Sequence, residues 1–459
     1  MRFGIFYEHQ LPRPWGPESE HQLLKNALEQ CELADRLGIQ YMWEVEHHFL
    51  EEYSHSSAPE VFLAAASQRT TNIRLGHGII QTAPGYNHPA RTAERVAMLD
   101  LVSNGRVEFG SGESSSEAEM GGFGIDMLTK REQWLEGLEV AIRCMTESPF
   151  GGHEGTFVSM PPRNVVPKPV QRPHPPLWVA CSRRDTILLA AEKGIGALSF
   201  AFIDPEEAAR WMHDYETTLA EKCVPVGRAV NPQVACVTPM MLHDDEEEAL
   251  RRGIEGANFF GYSLAHYYVF GVHTPAHTNV WDEFVDRRNQ MGYSPEAALA
   301  QKTGTLGAKI AAGDNTGLRG AVGTPDQVRE FLRRYEEAGV DQIIFVLQAG
   351  TNRHEHIMES LEMFGSQILP EFADRDDAQV AAREARFAPL IEAAFERKHE
   401  LGLDDLPRMP EGYEMKAIPK AMIDLAENEM AQEILDRIAD EGAVGDSTTM
   451  TSILGNPTA

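Results

Sequence analysis

Eight short apolar runs, parted by amphipathic stretches, constrain this chain more than any other feature. They are RFGIFY (2–7), IQYMWEV (39–45), IRLGHGII (73–80), RVEFGSG (106–112), LWVAC (177–181), IGALSFAF (195–202), QVACVTPMML (233–242) and DQIIFVLQ (341–348). Near-continuous apolar strands suit a parallel sheet covered on both faces. The intervening stretches show helical spacing, as in HQLLKNALEQCELADRLG (21–38), PEVFLAAASQRT (59–70), RTAERVAMLDLVSNG (91–105) and REQWLEGLEVAIRCMTE (131–147). Further helices are expected after Cys181, from about Pro205, from HDDEEEALRRG onward and over 354–372. Eight βα units predict a (β/α)8 barrel of the TIM type rather than an open sheet. The stretch 155–176 is too rich in proline for regular structure.

Two segments exceed a minimal barrel. Residues 259–320, between the seventh and eighth runs, are rich in aromatics and histidine. An insert at the C-terminal end of a barrel strand would roof the active site. Phe260, Tyr262, His266, Tyr267 and Tyr268 are its candidate pocket residues. The barrel is expected to span 1–372 and an acidic helical extension 373–459. FAPLIEAAF and MIDLAENEMAQEILDRI in that extension carry helical apolar stripes.

Charge narrows the function. Lys and Arg number 41 against 70 Asp and Glu, a formal net charge of −29. Such a chain should repel nucleic acid and anionic membranes. No apolar run approaches the roughly 18 residues of a membrane helix. MRFGIFYEHQ does not read as a secretory signal. The five cysteines are scattered and form no CxxC, which reads as reduced thiols in a cytoplasmic protein.

EHHF (46–49) ends the second strand, where barrel side chains reach the active site. Neighbours on a strand point to opposite faces, so His47 and His48 make a poor chelating pair. The HExxH spacing is absent, and no metal site is expected. One histidine should face the pocket as acid, base or donor, and the other should pack outside. Two purely structural histidines are the plainer alternative.

Here the sequence resembles the bacterial luciferase family of flavin-dependent monooxygenases. EHHF resembles its strand-2 motif, and HPARTAERVAMLDLVSNGRVEFG (88–110) its helix-3 to strand-4 stretch. FGID (123–126) with Arg131, WVACSRRDTILLAAEKG (178–194) and GTPDQVREFL (323–332) match further pieces in the same order. The resemblance implies a (β/α)8 barrel and assigns catalysis to His47, with a neutral imidazole, and an outward place near a subunit interface to His48. It places the flavin ring beside Gly78–Ile79, with a non-prolyl cis bond there, and beside Gly112. It places the flavin phosphate at Arg131 and at Cys181–Ser182, where a helix start could receive an anion. Arg183 and Arg184 add cations there, or form a solvated helix face. Glu119 falls on the family's pocket acid.

Two departures stand out. Where the luciferases carry a reactive Cys and then an Arg, this chain has Gly112 and Glu113. GSGESSSE (110–117) lacks the third glycine of a dinucleotide loop. The resemblance therefore implies a two-component enzyme. Reduced FMN from a separate flavin reductase would react with O₂ to a C4a-peroxyflavin that oxygenates an apolar or aromatic substrate. A homodimer paired through helices 2 and 3 is implied as well. The rivals are an F420-dependent hydride-transfer oxidoreductase of the same superfamily and a non-catalytic flavin-binding barrel.

Overall fold

The computed structural model describes residues 1–200, 202–300, 309, 312 and 317–415. Eight parallel strands close on themselves: β1 Arg2–Tyr7, β2 Tyr41–Val45, β3 Arg74–Gln81, β4 Val107–Gly112, β5 Leu177–Cys181, β6 Gly196–Ser199, β7 Val234–Leu242 and β8 Gln342–Val346. Each pairs with the next, β7 pairs with β8, and β8 pairs back with β1. This is the expected (β/α)8 barrel. Its main helices are α1 Ser19–Leu37, α2 Pro59–Ser67, α3 Pro89–Val102, α4 Lys130–Thr146, α5 Arg184–Lys193, α6 Pro205–Lys222, α7 Glu246–Ala265, α8 Pro325–Glu337, α9 His354–Met363 and α10 Leu369–Glu400, and shorter helices span Glu117–Phe123, which carries Glu119, Val280–Arg287 and Pro295–Leu299. Local chemistry sets their starts. Asp204 caps α6 by accepting from the Glu207 N–H at 2.8 Å, and Thr324 with Gln327 forms a capping box on α8.

The strands sort their side chains with period two. Tyr41, Trp43 and Val45 of β2, Trp178 of β5 and Ile344 and Val346 of β8 share the barrel interior with Phe6. Met42, Val179, Cys181, Ile343 and Phe345 face the surrounding helices. Trp43 and Trp178 meet edge-to-face at 5.3 Å, and their indole N–H groups bond to Gln342 (3.2 Å) and Glu108 (2.6 Å). Those partners remove the cost of burying each indole N–H. β3 breaks the alternation. Its register against β2 jumps between His77 and Ile79, so Gly78 is bulged. Both Gly78, against Phe6, and Ile79, against Gly112, then lie toward the interior.

Three features were not expected from the sequence. His153–Glu154 and Ser159–Met160 form a small hairpin, so the start of the 155–176 stretch carries regular structure that its proline content did not suggest. Ala321–Gly323 adds a parallel strand to the end of β7, beside Met240–Leu242. The sixth run, expected to extend to 202, is strand only to Ser199. The excursion also starts later than residue 259, because α7 continues to Ala265 before a π-helical turn over His266–Phe270. Residues 301–308, 310–311 and 313–316 of the excursion lie outside the described residues. So do MIDLAENEMAQEILDRI and the final GDSTTMTSILGNPTA.

α10 runs unbroken across the boundary expected at 372–373 and buries Phe372, Phe387 and Ala394. Met1–Arg408 form one compact unit and Met409–Ala459 a second. No helix among the described residues is long and apolar enough to cross a membrane.

Candidate active site at the barrel mouth

β2 continues its inward parity from Tyr41, Trp43 and Val45 to His47, at the C-terminal mouth of the barrel. β1 does the same from Phe6 to Glu8. His47 Nδ1 lies 3.0 Å from Glu119 Oε1, and its Nε2 lies 3.6 Å from Glu8 Oε2. Both carboxylates are buried. Glu119 is further held by the His48 backbone N–H and the Ser114 hydroxyl, each donating at 3.0 Å. Glu8 Oε1 accepts from the Tyr53 hydroxyl at 2.9 Å. The Tyr268 hydroxyl stands 3.4 Å from His47 Nδ1.

These contacts fix the charge of His47. Burial alone would lower its pKa, but the Glu119 and Glu8 carboxylates outweigh burial and push it up to about 9. His47 is therefore an imidazolium at neutral pH, not the neutral imidazole expected from the sequence. Glu119 is also opposed by burial, yet His47 and its own hydrogen bonds hold it below the usual carboxylate range. Glu8 goes the other way. Burial pushes it up to about 7, against the pull of His47 and Tyr53.

His48 points elsewhere. Its Nε2 lies 3.2 Å from Glu46 Oε1, and its ring packs edge-on against Phe123 at 4.9 Å. The two histidines thus engage different carboxylates, as strand alternation requires.

The roof splits by helical face. Phe260 meets Phe6, Tyr53 and Phe202 at 6.4, 5.7 and 5.7 Å between ring centroids. Tyr267 and Tyr268 both lie 6.3 Å from Tyr53. Tyr262 and His266 do not line this mouth. Tyr262 packs against Phe270, Phe284 and Tyr293 inside the excursion. His266 is buried with Nδ1 3.2 Å from Glu283. Both fold the roof rather than line the pocket, which corrects their assignment.

A second cluster lies at the starts of α4 and α5. Arg131 donates to Glu113 through Nε at 3.1 Å and Nη2 at 2.9 Å, and lies 3.8 Å from Asp185. Lys130 Nζ donates to the Ser114 carbonyl at 2.6 Å and sits 3.7 Å from Glu113. Arg183 bonds to Asp185 at 3.1 Å, beside an exposed Ser182. Glu113 thus turns into the cluster and occupies Arg131. Arg184 turns to Asp214 on α6 at 2.5 Å and lies outside the cluster, so the solvated-face reading describes it. The Cys181 thiol faces the outer core, where burial pushes it up, so only the backbone at that position is near the site. The cis bonds among the described residues all precede proline, so Gly78–Ile79 is trans, against expectation.

The residues fit the phosphate end of a flavin cofactor. Lys130, Arg131 and Arg183 gather at a helix N-terminus in a chain of net charge −29. Gly112 has no side chain, and a Cβ there would come within 3.0 Å of Ile79. Sequence reasoning missed Glu8, Tyr53, Ser114 and Lys130. Glu8 could have been found, because it is an acid two residues beyond an inward-facing strand position.

A closed barrel with one carboxylate-clamped histidine at its C-terminal mouth is the arrangement of a barrel enzyme. The chain belongs to the luciferase-like monooxygenase family, whose match spans residues 1–342. It is similar to the "Flavin-dependent trigonelline monooxygenase, oxygenase component" of Acinetobacter baylyi, at 27% identity over 391 residues, covering 83% of this chain and 99% of that one. The 4-hydroxyprotoasukamycin monooxygenase of Streptomyces nodosus subsp. asukaensis is 28% identical over 365 residues, covering 77% and 88%. Among solved structures, monooxygenase RslO1 from Streptomyces bottropensis matches with a TM-score of 0.63 at 26% identity, covering 81% of this chain and 100% of that one.

Proposed function

We propose that this chain is the oxygenase of a two-component system, taking up reduced FMN from a separate reductase and using O₂ to oxygenate an apolar or aromatic substrate. The observation that carries this reading is the pairing, across one barrel mouth, of a clamped histidine and a cation cluster. The words "oxygenase component" in the Acinetobacter relative's name support a separate reductase. Lys130, Arg131, Arg183 and Ser182 would hold the phosphate, and Gly78, Ile79 and Gly112 would border the ring. When bound and reduced, the flavin supplies the activation of O₂ that side chains cannot.

The chain's own residues supply the rest. Arg131 must release Glu113 to take the phosphate. That exchange weakens net affinity, which suits a flavin taken up and released each cycle. His47 holds a proton at the reacting face, ordered by Glu119. Phe6, Phe200, Phe202, Phe260 and Tyr268 form an aromatic wall that favours flat or apolar substrates and excludes water.

On α2 and α3, Val61, Met98, Leu101 and Val102 are exposed at 67%, 53%, 41% and 43%. This apolar face fits a second copy of the chain, which light scattering would reveal as a dimer at micromolar concentration. The five cysteines are free and buried, in keeping with a cytoplasmic setting.

The deciding experiment mixes the protein anaerobically with photoreduced FMN or reduced F420 and then admits O₂. Protein-dependent oxygen uptake with FMN alone is the expected result. Hydride transfer from F420 without oxygen uptake would establish the rival oxidoreductase, and binding without turnover the non-catalytic barrel.

A further inference from the structure

The clamp on His47 is asymmetric. Glu119 accepts three hydrogen bonds, from His47, the His48 N–H and Ser114. It is committed as an anion. Glu8 is held only on one side. Its Oε1 takes the Tyr53 hydroxyl at 2.9 Å, and its own carbonyl takes the Ser54 hydroxyl at 2.8 Å. Its Oε2 is buried, accepts no hydrogen bond from the described residues, and faces His47 Nε2 at 3.6 Å. A buried carboxylate oxygen without a donor is costly and calls for a reason.

We infer that Glu8 is a positioning residue for the reaction, holding His47 charged from the Nε2 side and exchanging a proton with it. In the exchange an N–H bond at Nε2 breaks and an O–H bond at Oε2 forms. An imidazolium and a carboxylate become a neutral imidazole and a neutral carboxyl. No electron moves and no other reactant is needed. Every charged or titratable group packed on His47 agrees with this division. Glu46 on its own strand is turned to Gln81, Asn87 and His48. Tyr53 and Tyr268, from the loop after β2 and the π-helical turn, keep their protons because burial pushes both hydroxyls up. Glu119 stays ionised, which leaves Glu8 as the exchanging partner. Its pKa of about 7 means that both of its forms are populated at neutral pH.

This inference rests on the proposed function only in assigning the reaction to His47; its first test does not need flavin. The His47 ring is followed by isotope-edited NMR in flavin-free protein, with His47→Asn identifying the signal. Wild type should titrate near 9. Glu8→Gln keeps shape and loses charge, and should titrate lower by about one unit or more. Glu8→Asp should restore part of the difference. Tyr53→Phe, a milder change, should shift the midpoint the same way by less, because an unanchored Glu8 spends more time neutral. Equal His47 midpoints in wild type, Glu8→Gln and Tyr53→Phe, with circular dichroism unchanged, would overturn the inference. The second test measures the pH profile of flavin reoxidation by O₂. It should move with the NMR midpoint in Glu8→Gln, and a profile fixed while the midpoint moves overturns the role in the reaction. If wild type fails to bind reduced FMN, the proposed function fails while the NMR result still decides the clamp.

Discussion

Both ends of the barrel are dense in charge, yet they handle it in opposite ways. At the N-terminal end, α10 runs beside a groove of about 1130 Å³. There three acids beside the strand starts each face a base. Arg2 meets Asp376 at 2.9 Å, Arg375 meets Glu336 at 2.6 Å, and Arg383 pairs with Asp341. At the mouth, Glu8 and Glu119 share a single histidine. Balanced pairs fix structure. Two carboxylates around one imidazole push His47 above neutrality, and burial pushes Glu8 up toward it. The lesson is that charge density does not mark a site; unmatched charge does.

The sharpest break of this contrast is His47→Asn. Loss of a positioned proton donor costs roughly 10²–10⁴-fold. Product formation should collapse by that factor under saturating reduced FMN, hydrogen peroxide should be released instead, and FMN titration should be nearly unchanged. Equal turnover would show that the mouth is as structural as the opposite end. The same variant tests the charge. With His47 raised from 6.5 to about 9 in the fold, its contribution to stability is complete below about 6.5 and is lost as pH rises through about 9. Glu8, raised to about 7, adds a loss in the same direction at lower pH. The melting temperature of wild type should therefore fall more steeply from pH 6.5 to 9 than that of His47→Asn.

The opposite end should answer in stability alone. Arg383→Ala leaves the mostly buried Asp341 without its cation, at a cost of up to about 3 kcal/mol. Chemical denaturation should show the loss, while turnover per folded molecule stays at the wild-type value. A fall in turnover at constant stability would mean the two ends communicate.

Much of this contrast was legible in the sequence, and the remainder failed for identifiable reasons. The strands were readable because fully buried parallel strands are apolar throughout. His47 was readable because strand parity and position coincide at a barrel's C-terminal end. Cys181 could have been excluded by the same parity, since Trp178 faces inward and Cys181, three residues on, faces out. Tyr262 and His266 were misplaced because residues 259–265 read as an excursion, whereas they continue α7. On a helix, Phe260, Leu264, Tyr267 and Tyr268 share one face, and Phe259, Tyr262, His266 and Phe270 the other. The sixth strand stops at Ser199, and Phe202, at φ 49°, instead joins the mouth. Glu8 left only its parity as a signature: two residues beyond the inward-facing Phe6, it becomes meaningful only when the fold brings it to a histidine.

Arg131 tests the second half of the mouth. Charge-assisted hydrogen bonds are worth roughly 1.5–3 kcal/mol. Arg131→Ala should weaken FMN binding about 10- to 100-fold. Glu113→Gln should strengthen it, because Arg131 then has no carboxylate to release. Unchanged titration in both variants would remove the phosphate from this cluster.

The smallest effect belongs to His48, and it sharpens the contrast within a single strand. Its side chain touches Glu46 at 3.2 Å and packs against Phe123, while its backbone N–H, which any residue retains, donates to Glu119 at 3.0 Å. His48→Asn therefore keeps the bond that matters to the site and removes a ring contact and one hydrogen bond. The loss should be about 1 kcal/mol of stability, read from denaturant midpoints, with turnover per folded molecule unchanged. The His48 and Phe123 rings lie against the exposed Phe49, so a small change in self-association is expected as well. Turnover abolished in His48→Asn but kept in His47→Asn would mean that the inward parity of β2 does not continue past Val45, and that the two neighbouring histidines have exchanged roles.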